Sequence, residues 1–295
     1  MTALVLALRW SRWLPLWMIR AGAGALAWYA WATRAKAARR LEANLARVTG
    51  AEGTALRRLT RRGMASAARY YAELFELPRM TGEAIDARVR AVDVAHVQDI
   101  LDRDGRVIAV LSHSGNWDLA GAFSHRRLAP VTSVAEVLEP RAAFDEFVRL
   151  REELGMTILG HQGSSTFREL IKATRSAGGV IALLADRDMS GSGVPVHMWG
   201  HDVHVAAGPS ALAVATHTAV VPVMVHYERL SGQRRRRARS RWGIVVTFGA
   251  PIEPRPDAGG EQVGEITAAW VQFLADQIAA HPEDWHMLQR FGWTS

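Results

Sequence analysis

The chain has 295 residues, 49% of them hydrophobic, and a formal charge of +7; this is enough apolar mass for a packed core and excludes a disordered chain. It contains no cysteine, so disulfides, a thiolate nucleophile and Cys-ligated zinc are ruled out. The charge is lopsided. Residues 1–70 carry thirteen Arg or Lys against two Asp or Glu, and the rest carry 23 against 27. The basic end therefore faces an anionic partner, nucleic acid or membrane.

Five of the eleven tryptophans, Trp10, Trp13, Trp17, Trp28 and Trp31, fall in the first 31 residues beside Arg9, Arg12 and Arg20. Trp beside Arg suits the headgroup level of a bilayer, where an amphipathic ring is half wet. A solvated basic stripe would suit nucleic acid better, so a membrane and no nucleic acid is the expectation. The longest early uncharged stretch, Ala21 to Thr33, has 13 residues, short of the roughly 20 that span a bilayer. The arginines also break any signal-peptide core. Residues 1–40 thus read as amphipathic helices on a membrane surface, the bland alternative being two ordinary packing helices.

In chain order, residues 2–48 read as helical with breaks near Pro15 and the Gly22/Gly24 pair, and 54–76 as a second helical stretch ending before Pro78. A short helix covers Val94 to Leu101. Arg106 to Leu111, an apolar β-branched run after Asp104-Gly105, reads as a buried strand, followed by the turn Ser112–Gly115 and a helix. Val131 to Val134 is a strand, Pro140 to Leu154 a helix closed by Gly155, Met156 to Leu159 a strand and Thr166 to Ser176 a helix. Val180 to Leu184 is another buried strand. Gly208 to His217 reads as a helix, Val220 to Arg229 and Trp242 to Phe248 as paired strands, and Val263 to Ala280 as the last helix. This alternation implies a single α/β domain over 1–295, with a central mostly parallel or mixed sheet and helices on both faces.

The chemistry concentrates in Leu111-Ser112-His113-Ser114-Gly115-Asn116-Trp117-Asp118. It follows the first buried strand, where α/β sheets place their sites. On one continuous helix His113 and Asp118 would diverge by about 140°; the turn at Gly115 brings them together. A neutral imidazole accepts a proton near neutral pH, and a carboxylate on its other nitrogen fixes the tautomer and stabilises the imidazolium. The alternative is a loop histidine beside a helix-capping aspartate. A second polar strand end, Asp186-Arg187-Asp188, is either part of the same site or an ion pair at the surface.

The His-Ser-Gly-Asn-Trp-Asp block resembles the His-x4-Asp motif of the bacterial lysophospholipid-type acyltransferases, nearest the late acyltransferases of lipid A biosynthesis and their actinobacterial relatives. Further blocks are similar in the same order: Asn44 to Val48, Val134-Ala135-Glu136, Leu184 to Asp188, Trp199-Gly200, Ala207-Gly208-Pro209 and Val221-Pro222-Val223. The block Pro282 to Gln289 looks most like the phosphatidylinositol mannoside branch, and an Arg count of 34 against two Lys suits its GC-rich hosts. Ala206 departs from the proline expected there, and Arg255 to Glu261 matches nothing in the family. The resemblance implies acyl-CoA as donor substrate with no cofactor or metal. It implies a mannose hydroxyl of a phosphatidylinositol mannoside as acceptor, at the cytoplasmic face of the cell membrane. His113 would be the general base with Asp118, and Glu136, Arg151, Asp186, Arg187 and Asp188 would line the substrates. Backbone amides near Gly115, Arg151 or Arg187 are candidates for the oxyanion, and Arg126, Arg127 and Arg187 for the CoA phosphates.

Three other signals compete. His197, His201 and His204 with Asp202 form a metal-like cluster without a zinc scaffold. Ser112 and Ser114 flank His113 without a nucleophile elbow. Arg234 to Arg241 reads as a solvated hairpin loop that draws toward anionic lipid.

Overall fold

The computed structural model describes residues 14–137, 141–161, 164–176, 178–188, 191, 193–256 and 260–294; Trp10 and Trp13 lie outside these. Helix α1 (Leu16–Ala32) leads into α2 (Lys36–Thr49) and α3 (Gly53–Leu74). Then come α4 (Gly82–Arg88), β1 (Val89–Val92), α5 (Ala95–Asp104), β2 (Arg106–Leu111), α6 (Trp117–Arg127), β3 (Val131–Glu136) and α7 (Arg141–Glu152). The chain continues through β4 (Thr157–His161), α8 (Ser164–Ser176), β5 (Gly179–Leu184), β6 (Val194–Met198), β7 (His201–Val205) and α9 (Gly208–Thr216). It closes with β8 (Val220–Arg229), α10 (Gly232–Ala238), β9 (Trp242–Phe248) and α11 (Gln262–Ala280).

Seven strands form one mixed sheet in the order β1-β9-β8-β2-β5-β3-β4. Only the β8–β9 pairing is antiparallel, among the pairings of this sheet. The β2, β3, β4, β5 and β8 carboxyl ends therefore share one edge of the sheet. Residues of the central strands alternate between two cores. Ile108 and Val110, Ile181 and Leu183, and Val220 and Met224 pack on the α9/α11 side. Val107, Ala109 and Leu111, with Val221 and Val223, pack on the α5/α6 side. Strands buried on both faces read as unbroken apolar runs, which is why β2, β5 and β8 stand out in the sequence.

The breaks differ from expectation at the start of the chain. Helix α1 runs straight through Gly22 and Gly24, where an added Cβ would meet nothing within 4 Å. It stops instead at Thr33, and Arg34 takes a left-handed φ of 53°. Of the residues of α1 only Ala27 is buried, and its single charge is Arg20, so it is apolar nearly all round rather than amphipathic. Helix α2 is the amphipathic one, burying Ala38, Leu41, Leu45 and Val48. Among the described residues, no helix is long and apolar enough to cross a membrane.

The β6–β7 hairpin carries the histidine cluster. Its register pairs His197 with Asp202 and Met198 with His201, while His204 stands opposite Pro195. The imidazole of His197 meets the Asp202 carboxylate in solvent at 3.0 Å and His201 packs edge-on against Trp293. Among the described residues no three metal-ligating side chains converge. The Arg234–Arg241 run is not a plain hairpin loop, because its first five residues belong to α10.

Candidate active site

Strand β2 ends at Leu111, and the chain turns at Ser112–Asn116 before α6 begins at Trp117. Gly115 makes the turn, with φ +58°; a Cβ there would stand 2.6 Å from the Val225 carbonyl oxygen, so no other residue fits. The C-terminal segment ties the loop down. Gly115 N–H donates to the Asp284 carbonyl at 2.9 Å, and His286 N–H to the His113 carbonyl at 2.7 Å. Asn116 caps α6, its Oδ1 accepting from Leu119 N–H at 2.9 Å while its Nδ2 donates to Glu73 at 2.8 Å. The buried Glu73 also takes Tyr227 Oη at 3.0 Å and the fully buried Arg88.

His113 does not pair with Asp118. Its Nδ1 meets Asp186 Oδ1 at 2.6 Å, and its backbone N–H donates to Asp186 Oδ2 at 3.0 Å. Strand register explains the partner. Leu111 of β2 stands opposite Leu184 of β5, so His113 and Asp186 each lie two residues past the last paired position. Trp285 Nε1 adds a third donor to Asp186 at 2.8 Å. Burial alone would raise the Asp186 carboxyl. The facing His113, the Trp285 N–H and the His113 backbone N–H outweigh it and hold the carboxylate below its usual range. The imidazole is about one-third exposed. Its Nε2 has no hydrogen-bond partner among the described residues, while Trp117 stands edge-on to the ring at 5.6 Å.

Asp118 occupies a different cage. Arg151 of α7 grips it through Nε at 2.6 Å and Nη2 at 3.3 Å, and Tyr70 Oη donates to Oδ2 at 2.8 Å. Entry into the first turn of α6 points Asp118 toward α3 and α7, away from the β5 strand end. Burial, and then the Asp118 charge, push the Tyr70 hydroxyl well above its ordinary pKa, so it stays a neutral donor. Arg151 is held protonated by Asp118 and Tyr70 against its own burial.

The other expected residues divide. Glu136 and Arg187 pair at 3.1 Å at the exposed edge, on the strand ends beside the dyad. Asp188 instead accepts from Gly193 N–H at 2.8 Å, closing the turn toward β6. Arg126 and Arg127 bind Asp86 at 3.5 and 2.5 Å. They lie in the last turn of α6, about 15 Å from its start by helix rise, and so at the far end of that helix from the His113 turn. Ser112 and Ser114 are fully buried and hydrogen-bond each other at 2.8 Å, with neither hydroxyl on the imidazole.

Sequence reading missed a second set of side chains. Tyr70 stacks tilted on Trp117 at 3.9 Å between ring centroids. Ser66 Oγ donates to Asp284 Oδ1 at 2.5 Å and lies 3.0 Å from His286 Nε2. Because the serine proton goes to Asp284, this contact is made when His286 carries its proton on Nε2. Burial, then Arg69 and His113, lower the His286 pKa to about 3 and keep it neutral. For Asp284 and His286 the sequence signal was the Pro282–Gln289 block, whose likeness to a family carried no role for Asp284, Trp285 or His286.

Comparison with known proteins extends this picture. The phosphatidylinositol mannoside acyltransferase of Mycolicibacterium smegmatis is 35% identical over 270 residues, 91% of this chain and 82% of its own length. That of Mycobacterium tuberculosis is 34% identical over 254 residues, covering 84% and 75%. Among solved structures, the 1-acyl-sn-glycerophosphate acyltransferase of Thermotoga maritima aligns at a TM-score of 0.39 and 16% identity, over 73% of this chain and 83% of that one. Residues 2–292 match the family described as bacterial lipid A biosynthesis acyltransferase, and the chain belongs to that acyltransferase family.

Proposed function

We propose that this acyltransferase moves a fatty acyl group from acyl-CoA to a mannose hydroxyl of a phosphatidylinositol mannoside, at the anionic cytoplasmic face of the cell membrane. The carrying observation is the His113–Asp186 pair at adjacent strand ends, with Nε2 of the imidazole left open. Nε2 takes the proton of the acceptor hydroxyl as its oxygen attacks the thioester carbonyl. Asp186, an anion at neutral pH, stabilises the imidazolium that forms and holds the proton on Nδ1 beforehand. The tetrahedral oxyanion then collapses, the C–S bond breaks, and the thiol of CoA leaves with the proton from Nε2. Asp118 acts through structure: with Arg151 and Tyr70 it fixes the first turn of α6, and so the loop that carries His113.

The acceptor follows from what the mycobacterial relatives are named for. A small apolar cavity of about 40 Å³ lies beneath Trp117, between Leu111, Ala120, Val223 and Phe248; it marks the seam into which an acyl chain would slide as these side chains part. Attachment to the membrane rests on α1. Of the seven large hydrophobic side chains exposed among the described residues, Trp17, Met18, Leu26, Trp28 and Tyr29 belong to α1 and Leu14 precedes it. Large apolar side chains exposed in this number on one helix fit a bilayer interface.

Labelled acyl-CoA offered with a panel of acceptors tests the reading. Transfer to a phosphatidylinositol mannoside, lost in His113→Ala, is the expected result. Preferred transfer to a lipid A precursor or a lysophospholipid would replace the acceptor. No transfer to any of them by a folded protein would leave a peripheral membrane protein without the reaction.

A further inference from the structure

The arginine run divides into two sets. Arg234 reaches Glu228 at 2.8 Å and the Ala87 carbonyl at 3.2 Å, and Arg237 stands 3.7 Å from Glu83. These two fasten α10 to its neighbours. Arg235, Arg236, Arg239 and Arg241 instead line an open pocket of about 620 Å³ together with Gly232, Ser240 and Arg20 of α1. Among the described residues these four are exposed and make no side-chain ion pair, and no carboxylate lines the pocket. Arg20 is balanced by Glu76. Four unpaired guanidiniums around one cavity repel each other, and the pocket is complementary to an anion that brings several charges. A guanidinium grips phosphate through two parallel N–H bonds.

Position selects the source of the phosphate. Arg20 is three residues from Trp17 on α1, so the two are neighbours on the helix surface, and Trp17 is 70% exposed. Insertion of the exposed apolar side chains of α1 would set Arg20, and the pocket behind it, at headgroup depth. Strand β8 runs parallel to β2 and leads into α10, so the pocket also belongs to the end of the sheet that carries His113. We infer that Arg235, Arg236, Arg239 and Arg241 form a site for a membrane lipid headgroup bearing two phosphates, which orients the catalytic end of the sheet toward the bilayer. This rests on the membrane attachment of α1 proposed above.

The test is co-sedimentation of the full chain with vesicles of neutral lipid containing either cardiolipin or phosphatidylglycerol at matched total charge. Diffuse attraction responds only to charge and is screened by salt. A built site gives at least about tenfold tighter binding to the diphosphate lipid, and the preference survives 0.5 M salt, where the Debye length falls to about 4 Å. Changing all four arginines to glutamine should abolish the preference but leave residual vesicle binding, with a melting temperature no lower than wild type, because these side chains are exposed and their mutual repulsion is removed. Equal binding to the two vesicles, or a preference kept by the quadruple variant, overturns the site. Displacement of cardiolipin vesicles by micromolar free CoA also overturns it and assigns the pocket to the phosphates of the donor. Trp17→Ser with Trp28→Ser separates the two ideas: failure of the wild type to bind any vesicle, or no loss in this double variant, refutes the attachment itself.

Discussion

The loop around His113 and the α1/α10 surface sit at the same end of the sheet and are built on opposite terms. In the loop the buried carboxylates all have partners. Asp186 takes three donors, Asp118 takes Arg151 and Tyr70, and Glu73 takes Arg88, Asn116 and Tyr227. On α1 large apolar side chains face solvent, and on and just after α10 four arginines have no counter-charge. The first region is complete within the chain; it is preorganised, so little rearrangement is needed as charge develops. The second is completed only by something outside the chain. Breaking the first should therefore change rate and stability, and breaking the second should change location.

The largest effect is expected at the dyad. His113→Ala should lower kcat by roughly 10²–10⁴-fold, the range for a lost general base. Asp186→Asn should cost a similar factor, because an amide neither balances the imidazolium nor enforces the Nδ1–H tautomer. The double variant should be little worse than either single one, since the groups share a step. Rates measured with saturating acyl-CoA decide this, and additive losses would uncouple the two residues. Asp118→Asn should leave the pH–rate profile in place where Asp186→Asn displaces it; the reverse pattern would restore Asp118 as the partner of His113.

The next effect is on stability. Arg151→Met leaves Asp118 buried with Tyr70 alone, and loss of one partner of a buried pair costs about 3–5 kcal/mol. Arg151→Met with Asp118→Leu removes both charges and should recover much of that loss. Denaturant unfolding measures both. Recovered stability with activity still depressed would fit a positioning role, whereas full activity in the double variant would show that the cage serves only the fold.

Acid should loosen the fold around the loop. His286 has a folded pKa of about 3 and His226 of about 4, lowered mainly by burial. Their ordinary value is near 6.5. Between those values the unfolded chain binds protons that the folded chain refuses, so stability falls as pH drops below about 6.5. Asp284, raised mainly by burial, opposes this in part near pH 4. The melting temperature should fall between pH 6.5 and 4, and His286→Gln should flatten that slope. An unchanged slope in the variant would show that His286 does not carry it.

How far this was readable from the sequence follows the same division. Runs such as Arg106–Leu111 and Val220–Arg229 were legible because both faces are buried, so local composition reports the strand. Val89–Val92 and the two strands of the β6–β7 hairpin were not, since charges and histidines interrupt them and sheet neighbours decide their state. His113 was legible because a strand-to-helix turn is a local feature. Its partner was not: Asp186 is brought there by register between β2 and β5, and the nearer carboxylate in sequence, Asp118, is turned away by the helix it enters. Tyr70 and Arg151 come from α3 and α7, and no spacing connects them to the motif. The arginine run was visible as charge, but only the packing of α10 shows which arginines are already paired.

The smallest effect is expected at the two serines, and it tests whether the loop transfers acyl groups without a nucleophile of its own. Ser112 and Ser114 flank the base, have no cysteine to compete with as nucleophile, and are the residues an acyl-enzyme mechanism would need. Yet each hydroxyl is buried against the other at 2.8 Å and against the Met224 sulfur at 3.6 and 3.3 Å. A serine nucleophile needs its Oγ on the imidazole and open to the thioester, and these have neither. Replacing one alone leaves a buried hydroxyl short of a partner, at a cost of about 1–3 kcal/mol in stability, whereas replacing both with alanine removes the need and should be nearly neutral. The double variant should thus keep kcat within a few-fold of wild type, with mass spectrometry finding no acylated peptide after incubation with acyl-CoA alone. A trapped acyl-serine in the wild type, or loss of transfer in a folded double variant, would replace direct transfer by a two-step route through Ser112 or Ser114. It would also mean that the loop opens during turnover, because neither hydroxyl is reachable as it stands.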